Sequence, residues 1–307
     1  MRKVSLIALV FLLAAFGVGA VSQASAGQFP VRALVITMFD PETAPWLAHE
    51  SLPVEIPVKG AYGPLHCADN GLCVATIGEG KVNAATSLTA ILDSAKLDFG
   101  RAYFLTAGIG GVSPKTGTIG FAAWARWVVD WDLGHHVQDP DVPHGYLPID
   151  DQGTNVFHLD QRLVDRAYGL TRNLPLSDSA AAVETRTHYA GQEGRKPFVA
   201  TCDTLTGDDY WAGGGLSETA QYVTDIWTKN QGSYCTTQQE DNATAAALAR
   251  HGYLDRYLSL RTASNFDQPY PGQSVRELLA TYPGFEPAID NAYLVGSTVV
   301  HDLLTHP

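Results

Sequence analysis

Short apolar runs bounded by turn residues alternate along this chain with longer stretches whose apolar positions recur every three or four residues. Val31–Thr37, Val54–Val58, Tyr62–Ala68 and Leu72–Ile77 read as strands, with Pro, Gly, Asp and Asn between them. A helix is predicted over 80–95, with Val82, Ala85, Leu88, Ile91 and Leu92 on one face. A buried strand over 101–107 follows, and Ala107, Gly108, Gly110 and Gly111 are expected to end it in a flexible loop. Thr118–Trp131 is rich in aromatic and β-branched residues and reads as one or two strands. Residues 132–197, full of Pro, Asp, His and Gly, are expected to be a long loop-rich segment. Beyond it come a strand at Phe198–Asp203, helices at Ser217–Lys229 and Thr237–His251, a strand at Tyr257–Ser264 and a closing helix at Ala288–Leu304. Strands alternating with helices predict an α/β protein with a mixed, mainly parallel sheet, and strand ends are where chemistry is expected.

The N-terminus has a different pattern. Arg2 and Lys3 precede an apolar run from Val4 to Val21, and Ala24-Ser25-Ala26 offers a small-x-small cleavage site. Residues 1–26 are therefore expected to be a signal peptide, and 27–307 a single domain that is periplasmic or secreted; an uncleaved anchor is the alternative. No later segment is apolar enough to span a bilayer. The net charge of −12 becomes −14 once Arg2 and Lys3 are removed, and no basic cluster is present. That balance argues against a nucleic-acid polymer or an anionic membrane as partner. The four cysteines of an exported chain suggest disulfides. Cys67 and Cys73 flank a turn and could pair, leaving Cys202 and Cys235; three pairings are open, as are free thiols.

Familiar motifs fail on inspection. Gly78-Glu79-Gly80-Lys81 is half a phosphate loop, but position 75 is Ala and position 82 is Val. Gly108-Ile109-Gly110 lacks the third glycine of a dinucleotide fingerprint, since Ser113 stands there. No Gly-x-Ser-x-Gly elbow occurs. Asp132, His135, His136, Asp139, Asp141 and His144 have metal-ligand types but no zinc spacing, so hydrogen bonding is the expected role and no metal or cofactor is assigned. Three clusters remain. Asp40 and Glu42 follow the first strand, Thr206–Trp211 follows the strand at 198–203, and Gln239-Glu240 begins a helix while Ser264–Asp267 ends the last strand. Each alone reads as a cap or turn; their meeting at strand ends would make a site.

Gly78-x-Gly80-Lys81-Val82-Asn83-Ala84-Ala85, followed by a strand and Thr106-Ala107-Gly108-Ile109-Gly110-Gly111, resembles the nucleoside phosphorylase/nucleosidase superfamily. Met38-Phe39-x-Pro41-Glu42 and Thr206-Gly207-Asp208 make the chain most similar to its purine nucleoside permease family, over about residues 31–300. The resemblance implies a three-layer α/β/α sandwich around a partly closed sheet. It places Tyr210 against the purine, Glu240 on the ribose 2′- and 3′-hydroxyls and Asn265 at the purine's N7 and 6-substituent, with Gly108, Ile109 and Gln239 lining the site. Nucleosidases have Asp where this chain has Asn265, and several phosphorylases specific for 6-oxopurines have Asn; the implied ligand is inosine- or guanosine-like. Phosphorylases of the superfamily carry an Arg and a Ser for phosphate where Leu105 and Gly108 stand here, which disfavours phosphorolysis. The resemblance also admits a homo-oligomer, with His144 or His188 acting across an interface.

The expected activity is hydrolysis of a purine N-ribosidic bond by an exported nucleosidase. Glu240 would hold the ribose diol, Asn265 and Asp267 would stabilise the leaving base, and Glu42 or Asp40 would activate water. The alternatives are a capture protein that supports nucleoside transport without catalysis, a phosphate-dependent phosphorylase, and a storage or structural protein on an inherited fold.

Overall fold

The computed structural model describes residues 27–306, so the expected signal peptide lies outside the described residues. Among the described residues, twelve strands form one sheet, and eight α-helices pack around it. The strands are β1 (Ala33–Thr37), β2 (Val54–Ile56), β3 (Leu65–Cys67), β4 (Leu72–Thr76), β5 (Tyr103–Val112), β6 (Ala122–Trp124), β7 (Trp127–Asp130), β8 (Val156–His158), β9 (Val199–Thr201), β10 (Asp203–Thr206), β11 (Tyr234–Gln238) and β12 (Tyr257–Phe266). The helices are α1 (Asp40–His49), α2 (Lys81–Leu92), α3 (Gln161–Thr171), α4 (Ala180–Arg186), α5 (Gly214–Thr228), α6 (Asp241–Arg250), α7 (Val275–Leu279) and α8 (Phe285–Thr305).

The sheet runs β8-β7-β10-β11-β5-β1-β4-β3-β2. The runs β7-β10-β11 and β5-β1-β4 are parallel, while β11 meets β5 antiparallel, as β8 does β7 and as the strands pair at the β2 edge. β12 lies along β5 in parallel and pairs antiparallel with β6, which pairs with β9, so the sheet curls back on itself in part. β12 is buried along its whole length and β5 from Phe104 to Gly108, as strands covered on both faces must be, while Ile109–Gly111 are only partly buried. Helix α8 packs on both, with α1 and α3 against it, while α2 packs on α6. Gly296 of α8 admits Trp46 of α1: a Cβ there would lie 3.2 Å from the indole.

Four expectations are corrected. The glycine segment after Thr106 is no loop, because Gly108–Gly111 continue β5 as far as Val112, held by β12 along one side. Residues 132–197 contain α3 and α4, each with a side-chain N-cap, Asp160 and Ser179. Val82 is 72% exposed: it sits in the first turn of α2, and the buried face is Ala84, Ser87, Leu88, Ile91 and Leu92. The strand β11 was not foreseen; Thr237 and Gln238 belong to it rather than to the following helix. Both expected disulfides are present, Cys67–Cys73 and Cys202–Cys235. Among the described residues, no helix is long and apolar enough to cross a membrane.

Candidate functional site

The cavity forms where β5 changes neighbours. β5 pairs with β1 only as far as Thr106, and with β11 only at Gly111 and Val112. Between these points β5 has no strand on that side, and three segments converge on the gap: the turn from β1 into α1, the β11–α6 junction and the end of β12. The resulting cavity, about 220 Å³, is lined by Met38, Glu42, Ile109, Tyr210, Glu240 and Asn265, among others.

Gly108 beside the cavity cannot carry a side chain as packed. A Cβ there would lie 2.0 Å from Met38 Cε, 2.8 Å from Glu42 Oε1 and 2.9 Å from Arg261 Nη1. Glu42 is the third residue of α1 and reaches back like the return arm of a capping box. Its Oε2 accepts from Met38 N at 2.8 Å and its Oε1 from Ile109 N at 2.7 Å, the latter an N–H that faces the gap rather than a strand. Burial drives the Glu42 carboxyl up to about 8, with Glu240 adding to the rise, against the pull of Arg261 and the two N–H groups.

Glu240 caps α6 beside the cavity. The Gln238 side chain fixes this junction by accepting from both Glu240 N and Asp241 N at 2.8 Å. Glu240 Oε1 accepts from Gly80 N at 2.9 Å and Oε2 from Arg261 Nη2 at 3.0 Å. Burial raises its pKa and Arg261 opposes the rise. Each oxygen keeps a further lone pair for a hydroxyl. The Gly78–Lys81 turn thus offers its Gly80 N–H to a carboxylate. It is locked by Lys81 N on Asp208 Oδ1 (2.7 Å) and by Lys81 Nζ on Asp130 (2.6 Å) and Asp132 (2.9 Å).

Arg261, on β12 opposite Gly108, is the functional residue the sequence reading missed. It is 2% exposed and bonds Asp241 through Nε and Nη2, Glu240 through Nη2 and Ile109 O through Nη1 at 2.9 Å. The signal was available: an arginine inside Tyr257–Phe266, a strand otherwise free of charge, has to be paired when buried.

At the far end, β12 gains one residue relative to β5 between Ala263 and Asn265, a bulge that re-aims the strand end. Asn265 Nδ2 donates to Phe266 O at 2.9 Å and its Oδ1 accepts from Ser264 Oγ at 2.7 Å. Asp267 is 2% exposed; its Oδ2 accepts from Ser217 Oγ at 2.7 Å and Tyr234 OH at 2.8 Å, while its buried Oδ1 has no partner. Burial pushes the Asp267 carboxyl up to about 6 against those two hydrogen bonds. Tyr210, half exposed, lines the cavity together with Asn265 and Tyr282.

The structure thus gathers Glu42, Ile109, Tyr210, Gln239, Glu240, Asn265 and Asp267 around one cavity. Asp40 is exposed on the first turn of α1 and is not among the lining residues, because the helix turns it away from Glu42. Gly108 stands behind Met38 rather than in the lining. His144 and His188 are exposed and pack on Tyr222 and Tyr270. His136 bonds Trp131 O, and among the described residues no three His, Cys, Asp or Glu side chains are grouped to hold a metal.

The family model for purine nucleoside permeases matches residues 30–307. A purine nucleoside permease of Candida albicans is 32% identical over 318 residues, spanning 92% of this chain and 78% of the Candida protein. A probable purine nucleoside permease of Schizosaccharomyces pombe is 30% identical, spanning 91% of this chain and 90% of its own length. Among solved structures, a 5′-methylthioadenosine/S-adenosylhomocysteine nucleosidase of Neisseria meningitidis in complex with methylthio-immucillin-A aligns with a TM-score of 0.56 at 15% identity, over 88% of this chain and 98% of the nucleosidase. Futalosine hydrolase of Helicobacter pylori aligns with a TM-score of 0.56 at 17% identity, over 89% of this chain and 98% of its own. At such identities the likeness establishes the fold, that of the nucleoside phosphorylases and nucleosidases, as the sequence predicted.

Proposed function

The chain belongs to the purine nucleoside permease family, and on that footing we propose that it binds purine nucleosides in this cavity and hydrolyses their N-ribosidic bond. The observation that carries the proposal is the placement of two buried carboxyl groups, Glu42 and Glu240, in the lining of one cavity, with Arg261 paired to Glu240. Cleavage of the bond develops positive charge on the sugar and negative charge on the departing base. Glu240 accepts from the ribose hydroxyls and polarises them. Glu42, with a carboxyl that titrates near neutral pH, takes a proton from the attacking water. Asp267 supplies a proton at the base end, where Asn265 has none to give. Ser217 and Tyr234 orient Asp267 for that transfer.

Hydrolysis is favoured over phosphorolysis by charge. The guanidinium in the lining is committed to Asp241, Glu240 and Ile109 O, and the surrounding carboxylates repel an anion. Leu105, where phosphorylases have Arg, is buried and apolar. A second reading, capture without turnover in support of transport, is favoured by one observation: Asn265 in the lining is an amide, already bonded to Ser264 and Phe266.

We further propose that the chain is exported and that residues 1–26 direct it; two disulfides support an oxidising compartment. The test of function is incubation of purified protein with inosine, with and without phosphate, following base and sugar. Free ribose without phosphate is expected. Ribose 1-phosphate formed only with phosphate would make the protein a phosphorylase, and binding without release of base would make it a capture protein.

A further inference from the structure

Between β4 and α2 the chain passes through two glycines in the left-handed region, Gly78 at φ +87° and Gly80 at φ +85°. Such a turn has little stiffness of its own, since glycine gives up the most backbone freedom when it is fixed. Ile77 N donates to Thr37 O at 2.9 Å and ties the strand side. Beyond it, among the described residues, four hydrogen bonds lead from 78–81 to the rest of the fold: one from Gly80 N to Glu240 and three from Lys81. Lys81 Nζ donates to Asp130 Oδ2 at 2.6 Å and to Asp132 Oδ2 at 2.9 Å, at and just after the end of β7. Lys81 N donates to Asp208 Oδ1 at 2.7 Å, and Asp208 N donates in turn to the same Asp132 Oδ2 at 3.0 Å. The Lys81 side chain is 19% exposed and that of Asp130 1%, so the pairing is shielded from salt.

From these contacts we infer that Lys81 is a positioning residue for sugar recognition. It holds the Gly80 N–H on Glu240 and thereby sets the direction in which that carboxylate meets the ribose 2′- and 3′-hydroxyls. The inference rests on the reading of Glu240 as the acceptor for that diol and deepens it. Lys81 is not among the lining residues and acts through the turn. The Glu240 carboxylate is oriented by two donors, Arg261 Nη2 on Oε2 and Gly80 N on Oε1. Without the three Lys81 bonds the glycine turn drifts, Oε1 loses its donor, and the carboxylate is free to rotate about the Arg261 contact. A group that has to be ordered by its ligand binds it less tightly. The loss falls on the diol and spares the base.

The test compares inosine with 2′,3′-dideoxyinosine, the same base on a sugar without the two hydroxyls. Calorimetry on the full chain is expected to show the parent binding inosine about tenfold more tightly or better, the size of a charge-assisted hydrogen bond. Lys81→Gln is expected to lose most of that preference through weaker inosine binding, while dideoxyinosine affinity holds. Lys81→Arg, whose guanidinium can bond both carboxylates, is expected to restore it. Asp132→Ala, at a side chain 30% exposed, is expected to act in the same direction and carries the test if Lys81→Gln does not fold. A folded Lys81→Gln protein that keeps the parent's preference overturns the inference and leaves Glu240 on the diol. Equal weakening of both ligands also overturns it, since Lys81 would then support the fold alone. A parent that binds the two ligands alike overturns the ribose reading of Glu240 and the inference with it.

Discussion

Arg261 donates from Nη2 to Glu240 Oε2 at 3.0 Å, and the other Glu240 oxygen accepts from Gly80 N at 2.9 Å. This contact joins β12 to the start of α6 and, through Gly80, to the start of α2, three segments remote from one another in sequence. Glu240 is thereby held in one place before any ligand arrives, which limits the ordering cost of binding.

Replacing Arg261 with Met should be strongly destabilising. It leaves Glu240 and Asp241 buried with a lost partner, a change that costs ~3–5 kcal/mol. Urea denaturation is the measurement. A midpoint unchanged from the parent would mean that the two carboxylates are protonated or hydrated in the absence of the guanidinium.

Glu240→Gln keeps the shape and removes the charge. Hydrogen bonds to charged groups contribute ~1.5–3 kcal/mol, so nucleoside affinity should fall roughly tenfold or more. Titration calorimetry with inosine reads this out. Retained affinity with intact turnover would show that the ribose diol lies elsewhere.

The Glu42 carboxyl rises from 4.5 to about 8 on folding, so folding takes up a proton between those values. Its contribution to stability is complete below 4.5 and is lost as pH climbs towards 8. Asp267, shifted from 3.8 to about 6, acts in the same direction over a lower range. Stability should therefore decline from pH 4.5 to 8, and Glu42→Gln should flatten that decline. As a general base Glu42 has to be ionised and as an acid Asp267 has to be protonated, so kcat/KM should rise with pH up to about 6, hold level to about 8 and fall above it, whereas the glutamine variant should fall from about 6 onward. A parent profile that already falls from about 6 would remove Glu42 from the water-activating role.

Gly108→Ala tests the close approach of Met38 and Glu42 to β5. The new methyl group would sit 2.0 Å from Met38 Cε and 2.8 Å from Glu42 Oε1. Met38 can swing away, but Glu42 is tied to two backbone N–H groups, so overpacking should cost ~1–3 kcal/mol and displace the carboxylate. Activity should drop more than thermal stability. The reverse pattern would assign Gly108 to packing alone.

The Cys202–Cys235 bridge closes a 33-residue separation and joins the segment ahead of β10 to β11, the strand that leads into Glu240. Changing both cysteines to Ser should lower stability by ~2–4 kcal/mol. Equal melting temperatures for reduced and oxidised protein would refute a stabilising role.

How far the sequence could be read depended on the range of the interactions. β1, β4, α2, β12 and α8 announce themselves through apolar periodicity and turn residues, because their signals lie within a few residues. β11 did not: Tyr-Cys-Thr-Thr-Gln has little apolar pattern, and it is a strand because β5 and β10 flank it. The glycines at 108–111 pointed to a close approach of backbone, correctly, yet suggested a loop, since nothing local reveals that β12 holds them extended.

The chain's own order of residues settled which chemistry is at hand: Glu42, Glu240, Asn265 and Asp267, each at a helix start or a strand end, and an arginine in a strand that could not stay unpaired. Tertiary structure alone decided that Asp40 faces out while Glu42 faces in, that Arg261 is committed to Glu240 and Asp241, and that one oxygen of Asp267 is left without a partner. The division has a physical cause. Secondary structure follows from neighbours in the chain, whereas charge pairing and burial depend on groups that meet only when the sheet curls and β5 exchanges β1 for β11.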